Sequence, residues 1–214
     1  MSTVIALVPL GIEDNRDSGA LARVRGATLL THTVLGVVGS GCVDRVVVAG
    51  PQATRAEYAD AVAAAGDRRI VLVPGGGDRI ESARKALLAA APAAHDIVLV
   101  HEPTRPFTPE ANIRAVVDAV RSGAPAAVPV EPVTDTVKVI DSRGEVLRTS
   151  DRESLRRAQS PRGFTAEFLR TVDLADALSL AGVRARVVPG HPKGLRVHTP
   201  FERTVAEALL EERE

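Results

Sequence analysis

Arg45-Val46-Val47-Val48-Ala49 decides the fold class. Three valines in a row leave no polar alternation, so this run reads as a strand buried on both faces. Comparable runs lie on either side of it: Val4 to Val8, Ile70 to Val73, Ile97 to Val100 and Ala126 to Val130. Between them sit segments with helical patterning: Thr28 to Val38, Thr54 to Ala65 with a stop at Gly66, and Ile80 to Ala91. A fourth opens at Thr108-Pro109-Glu110, as cap, proline and acid, and runs to about Arg121. Strands alternating with helices predict an α/β domain whose mostly parallel sheet has helices on both faces. Ligands of such sheets bind beyond the carboxyl ends of the strands. The loops after Val8, Val73, Val100 and Val130 are therefore expected to line the site.

The rhythm breaks after Thr134. Thr136 to Ile140 alternates, Asp141-Ser142-Arg143-Gly144 is a turn sequence, and Glu145 to Thr149 alternates again. This predicts a β-hairpin too polar for the sheet centre, projecting as an arm over about residues 136–160. An arm with few internal contacts suggests a partner, here a second copy of the chain. Beyond it, a helix is expected over about Thr165 to Ala181, strands over Val183 to Val188 and Leu195 to His198, and a last helix from Pro200. No linker divides the 214 residues, so one domain is expected over 1–214.

Composition narrows the function. Lys plus Arg number 27 and Asp plus Glu number 27, so bulk charge gives no support for nucleic-acid binding. Five aromatic residues offer no row of stacking platforms for single strands. One cysteine, Cys42, excludes an internal disulfide and a multi-cysteine metal site, and reads as a small buried hydrophobe. No apolar stretch approaches the roughly 20 residues that span a bilayer. A cytoplasmic protein without membrane or nucleic-acid partners is the expectation.

The expected site loops hold the unusual residues. Gly75-Gly76-Gly77-Asp78-Arg79-Ile80-Glu81-Ser82 follows a strand and opens a helix, where close backbone approach and free amides suit an anion; a plain turn with a cap is the bland alternative. His101-Glu102-Pro103-Thr104-Arg105-Pro106 follows the next strand. Its Glu102 and Arg105 suit a metal-bound phosphate and a phosphate oxygen, or form a surface ion pair. Thr134-Asp135-Thr136 sits where the sheet feeds the arm, and binds a hydroxyl or caps a turn. Arg152, Arg156, Arg157 and Arg162 make the arm's return basic, and Arg152 reads as a phosphate grip or a solvated cation. Arg196 lies mid-way in a short late segment, Gly194 to Pro200. The five histidines show no ligand spacing.

In order and in register, these segments resemble the 2-C-methyl-D-erythritol 4-phosphate cytidylyltransferases. That family's GG-x-x-R-x-[DE]-S-V is similar to Gly75 to Ala83, and its V-H-D-A-A-R-P to Val100 to Pro106. Its P-x-x-D-T-[IV]-K matches Pro132 to Lys138. Its R-x-x-L-x-x-x-Q-[ST]-P-Q-x-F is similar to Arg152 to Phe164, and its closing K-I-T-T-P segment to Gly194 to Arg203. The resemblance implies a Rossmann-like sheet, an arm exchanged across a homodimer, and transfer of a cytidylyl group from CTP to methylerythritol phosphate with Mg²⁺, releasing pyrophosphate. It implies that Pro9, Gly11, Gly75, Gly76, Arg79 and Ser82 face the nucleotide. It places Glu102, Arg105, Asp135, Thr136 and, from the other subunit, Arg152 on the sugar-alcohol phosphate, with Glu102 also on the metal. Arg16 and Arg196 would carry charge stabilisation.

The chain departs from the pattern in one region. The family's A-A-G-x-G-x-R loop and following P-K correspond to Pro9 to Leu21, which contains no lysine and three acids, Glu13, Asp14 and Asp17. Acids beside a triphosphate repel it. Arg162 stands for the motif's last Gln, Glu102 for its Asp, and Arg196 for a Lys. A second reading is therefore a catalytically impaired member acting as a binding or regulatory protein. A third is a nucleotidyltransferase with another sugar-phosphate acceptor.

Overall fold

The computed structural model describes residues 2–15 and 19–211. In chain order the elements are β1 (Val4–Pro9), β2 (Arg23–Val24), β3 (Ala27–Thr28), α1 (Leu29–Gly39), β4 (Arg45–Gly50), α2 (Arg55–Ala63), β5 (Ile70–Pro74), α3 (Arg79–Ala90), β6 (Ile97–Val100), α4 (Glu110–Arg121) and β7 (Ala126–Pro132). There follow β8 (Lys138–Ile140), β9 (Val146–Thr149), β10 (Arg156–Ala158), β11 (Arg162–Thr165), α5 (Ala166–Leu169), α6 (Leu174–Ser179), β12 (Arg186–Pro189) and α7 (Pro200–Glu211). The main sheet runs β10-β7-β11-β6-β1-β4-β5, with β12 also on β7. Strands β6, β1, β4 and β5 are parallel, so the valine-rich reading holds and the fold is Rossmann-like.

Period-two geometry divides the buried strands between two cores. Val4, Ala6 and Val8 of β1, with Val46 and Val48 of β4, pack under α1, α2 and α4. Cys42 is half-buried at the edge of this layer. Ile5, Leu7, Val47 and Ala49 face the other way, against Ala83 and Ala86 of α3 and against α5 and α6. Both layers start from side-chain caps. Thr28 accepts from the Thr31 amide at the head of α1, and Asp78 accepts from the Glu81 amide at the head of α3.

The arm is present as an isolated two-stranded hairpin, β8 against β9, turning through Gly144 at φ +84°. It presents Ile140, Val146 and Leu147 exposed. Its return leg, β10, joins the main sheet on β7.

Four expectations need correction. The helix expected over 165–181 is two short helices, because Thr165 caps α5 and Asp173 caps a fresh start at Leu174. Leu195 to His198 is not a strand: Val197 donates a single backbone bond to Thr104 and the chain otherwise follows the site loop. The late strand falls at Arg186–Pro189, beyond Val183 to Ala185. Thr108 does not cap α4; its hydroxyl turns back to the Arg105 carbonyl, and Pro109 holds the cap position.

Four strands, β2, β3, β10 and β11, had no forecast, and the last of them enters the middle of the sheet. Arg162–Thr165 forms β11, inserted antiparallel between β6 and β7. It fits because Gly163 lets α4 lie directly on it: a Cβ there would stand 2.4 Å from Val116 Cγ1 and 3.2 Å from Leu99 Cδ2. The Gly163→Ala variant is expected to lose about 1–3 kcal/mol of stability through overpacking. Urea denaturation followed by far-UV circular dichroism checks this, and an unchanged midpoint would contradict the packing.

Candidate functional site

The carboxyl ends of β1, β5 and β6 converge with β11. The first loop is closed on itself. Asp14, 1% exposed, accepts from the Gly11 amide at 2.8 Å. It also receives Arg79 in a bidentate pair, Nε to Oδ2 at 3.0 Å and Nη2 to Oδ1 at 2.6 Å. Glu13 adds a longer contact to Arg79 at 3.7 Å. Burial alone would lower the Arg79 guanidinium, but the Asp14 hydrogen bonds and charge raise it above its ordinary value.

The glycine loop lies against this turn. Gly75 donates to the Gly50 carbonyl at 2.7 Å, and Ile12 donates to the Gly77 carbonyl. A Cβ on Gly75 would fall 2.6 Å from the Gly50 nitrogen, so the close approach of the two backbones requires glycine. Ser82 is fully buried; its hydroxyl donates to the Leu10 carbonyl at 2.6 Å and accepts from the Gly76 amide at 2.9 Å. It fastens one loop to the other.

Glu102, at the end of β6, is the centre of the second group. Its Oε2 accepts from Arg105 Nε at 2.9 Å and from Arg196 Nε and Nη2 at 3.1 and 2.7 Å. Its Oε1 faces Arg162 Nη1 at 3.6 Å. Burial pushes the Glu102 carboxyl up, but the Arg105 and Arg196 charges pull harder and hold it at about 2. Arg105 also donates to the Gly194 carbonyl at 2.6 Å, and Ser160 Oγ accepts from the Glu102 amide at 2.8 Å. A cavity of about 120 Å³ opens between the two groups, lined by Pro9, Arg79, Val100, Glu102, Arg162 and Leu178 among others.

Thus the structure brings Pro9, Gly11, Gly75, Gly76, Arg79 and Ser82 into one group of loops and Glu102, Arg105 and Arg196 into another, and of these Pro9, Arg79 and Glu102 line the cavity. Asp135, Thr136 and Arg152 stand apart, exposed at the base of the arm, where Arg152 donates to the Thr134 carbonyl. Arg16 lies outside the described residues. The acids expected to repel a polyanion are partly answered. Asp14 is paired with Arg79, Glu13 leans on the same cation, and Asp17 is outside the described residues. Two organising residues were missed. Gln159 links Glu131 to both the nitrogen and carbonyl of His191, placing the loop that carries Arg196. Arg162 enters the site itself. Their common signal was the Gln159-Ser160-Pro161 motif beside a cation.

No group of three or more His, Cys, Asp or Glu side chains able to hold a metal occurs among the described residues. Glu102 Oε2 is saturated by two guanidiniums, while Oε1 keeps only the 3.6 Å contact among the described residues. That donor set fits a Mg²⁺ arriving with phosphate ligands, and not a protein-only metal site.

A family model described as 2-C-methyl-D-erythritol 4-phosphate cytidylyltransferase matches residues 15–212. The chain belongs to this family. A relative of that name from Saccharopolyspora erythraea is 40% identical, the match covering 97% of this chain and 99% of the relative. Another from Rhodococcus jostii is 38% identical over 98% and 96% of the two chains. A solved structure described as a 4-diphosphocytidyl-2C-methyl-D-erythritol synthase superposes with a TM-score of 0.80 at 27% identity, covering 98% of this chain and 99% of that one. The sheet and the exposed hairpin agree with the family's Rossmann-like fold.

One family-motif residue sets a pH response. His101 is buried; its Nε2 donates to the Arg105 carbonyl at 3.1 Å and its Nδ1 has no partner among the described residues. Burial lowers its pKa from 6.5 to about 4. The unfolded chain takes up a proton below 6.5 that the folded chain refuses until about 4, so stability is lost as pH falls through that window. The loss is on the order of 3 kcal/mol at most, at about 1.4 kcal/mol per pKa unit. Glu102 acts lower, between its ordinary 4.5 and about 2, where its contribution disappears as it protonates. Urea midpoints measured from pH 8 to pH 4 should fall below 6.5, and His101→Gln should flatten that limb. A wild-type midpoint constant from 6.5 to 4 would contradict the assignment.

Proposed function

We propose that the protein transfers the cytidylyl group of CTP to the phosphate of 2-C-methyl-D-erythritol 4-phosphate. A phosphate oxygen of the acceptor forms a bond to the α-phosphorus of CTP, the α–β phosphoanhydride bond breaks, and pyrophosphate leaves. The observation that carries this reading is the guanidinium cage on Glu102, set at the strand ends of a chain that matches cytidylyltransferases along nearly its whole length.

Such a cage suits charge migration between phosphates. Arg105 and Arg196 are held by hydrogen bonds before any ligand enters, so little reorganisation is needed when charge develops. Arg79 and the glycine loop form the nucleotide side, with Gly75 letting that loop pack backbone to backbone on Gly50. Arg105 and Arg196 meet the acceptor's phosphate. Mg²⁺ would be held by phosphate oxygens and Glu102 Oε1, and when bound it neutralises phosphate charge. Asp135, Thr136 and Arg152 complete the acceptor site of a second copy, with Ile140, Val146 and Leu147 of the arm covered in the homodimer. No described helix is long and apolar enough to cross a membrane, and this reading assigns the reaction to the cytoplasm.

Pyrophosphate release from CTP and methylerythritol phosphate tests the proposal. Turnover is expected. Arg196→Ala, which removes a half-exposed side chain, should lower kcat/KM by about 10²–10³ with the fold intact. CTP binding without turnover would replace the acceptor, and no CTP binding at millimolar concentration would reject the enzyme reading.

A further inference from the structure

The site holds more cation than its own carboxylates answer. Arg79, Arg105, Arg162 and Arg196 face Asp14 and Glu102, with Glu13 more than half exposed at the edge. Three of the four guanidiniums are hydrogen-bonded to carboxylates. Arg79 has Asp14 in a bidentate pair, and Arg105 and Arg196 share Glu102 Oε2.

Arg162 differs. Its side chain is 20% exposed, its only carboxylate contact among the described residues is the 3.6 Å approach to Glu102 Oε1, and its Nε is buried with no hydrogen-bond partner there. A buried N–H left unmade is costly, and more so on a charged group. Yet the residue is firmly placed. Arg162 opposes Val100 in the β11–β6 pairing, two residues before Glu102, and it lines the same cavity as Arg79 and Pro9. The sequence from Pro9 to Leu21 has no lysine.

We infer that Arg162 binds a phosphoryl oxygen of the nucleotide from across the cavity, supplying a cation from β11. The inference rests on reading this cavity as a site for phosphate-bearing reactants, and it deepens that reading by naming a residue. The reachable donors are the Nη groups, which make no hydrogen bond shorter than the 3.6 Å approach to Glu102 Oε1 among the described residues, and guanidinium Nη donors make strong charge-assisted bonds to phosphate oxygens. A glutamine at this position would reach the cavity with an amide donor and no charge.

Calorimetric titration with inorganic pyrophosphate, with CTP, and with methylerythritol phosphate, on the wild type and on Arg162→Gln and Arg162→Lys, tests it. Thermal unfolding of each variant is run alongside. Arg162→Gln should weaken pyrophosphate and CTP binding about tenfold or more, with Arg162→Lys recovering part of the loss, since a charge-assisted bond has been removed. Loss confined to methylerythritol phosphate would move the contact to the acceptor and overturn the nucleotide assignment. Unchanged binding of all three in a folded Arg162→Gln would overturn the inference outright. If Arg162→Gln unfolds, Arg162→Lys decides: pyrophosphate binding weaker than wild type supports the contact, and binding equal to wild type with a lowered unfolding midpoint assigns Arg162 to the fold alone. If the wild type binds pyrophosphate through Arg162 but makes no product, the cytidylyltransferase reading fails and this inference stands.

Discussion

Glu102 keeps its charge at the end of β6 because guanidinium groups from three separate segments surround it, and that single carboxylate ties those three segments together. Arg105 comes from its own loop, Arg162 from β11 and Arg196 from the segment before α7. Burying one carboxylate among cations is favourable only while hydrogen bonds satisfy it, since desolvation of each charge costs several kcal/mol and must be offset. Here the neighbours also lock the backbone. Ser160 receives the Glu102 amide, Gly194 receives Arg105, and the Val197 amide reaches the Thr104 carbonyl. Removing the carboxylate would leave three cations facing one another, held only by these remaining bonds.

That dependence explains which parts of the molecule could be read in the sequence. The parallel strands were legible because their valine runs are buried on both faces, a condition stated by composition alone. Helices α1 to α4 were legible from their patterning between the strands, even though the expected Thr108 cap of α4 does not form. By contrast β11 carries Arg, Gly, Phe and Thr, a pattern with neither alternation nor an apolar run. It is a strand because β6 and β7 leave a gap that only a glycine-bearing segment fits beneath α4. Tertiary context made that element. The same context displaced the late strand and split the helix after Thr165, where two competing caps lie within nine residues.

The candidate residues divide in the same way. Gly75, Arg79, Ser82, Glu102, Arg105 and Arg196 were found by motif and are brought together. Their detailed roles were not legible, because these depend on partners far away in sequence. Ser82 meets Leu10, Arg79 meets Asp14 and Glu102 meets Arg196. Asp14 shows the limit most clearly. In the sequence it is an acid where a polyanion belongs; in the structure it is a buried acceptor that fixes both Gly11 and Arg79.

The two carboxylates, finally, have one physical effect. Each holds guanidinium groups in place in the absence of a ligand, at the cost of part of the positive field. Asp14 fixes the guanidinium plane of Arg79, and Glu102 fixes those of Arg105 and Arg196. A phosphate-bearing reactant then meets donors whose side-chain entropy is already lost, and the excess cation is still there to attract it. An arginine cage without the carboxylates would repel itself apart; one with a carboxylate for every arginine would have no field left. Four guanidiniums around two buried acids lie between these limits, and that balance lets a loop poor in lysine serve a site meant for phosphates.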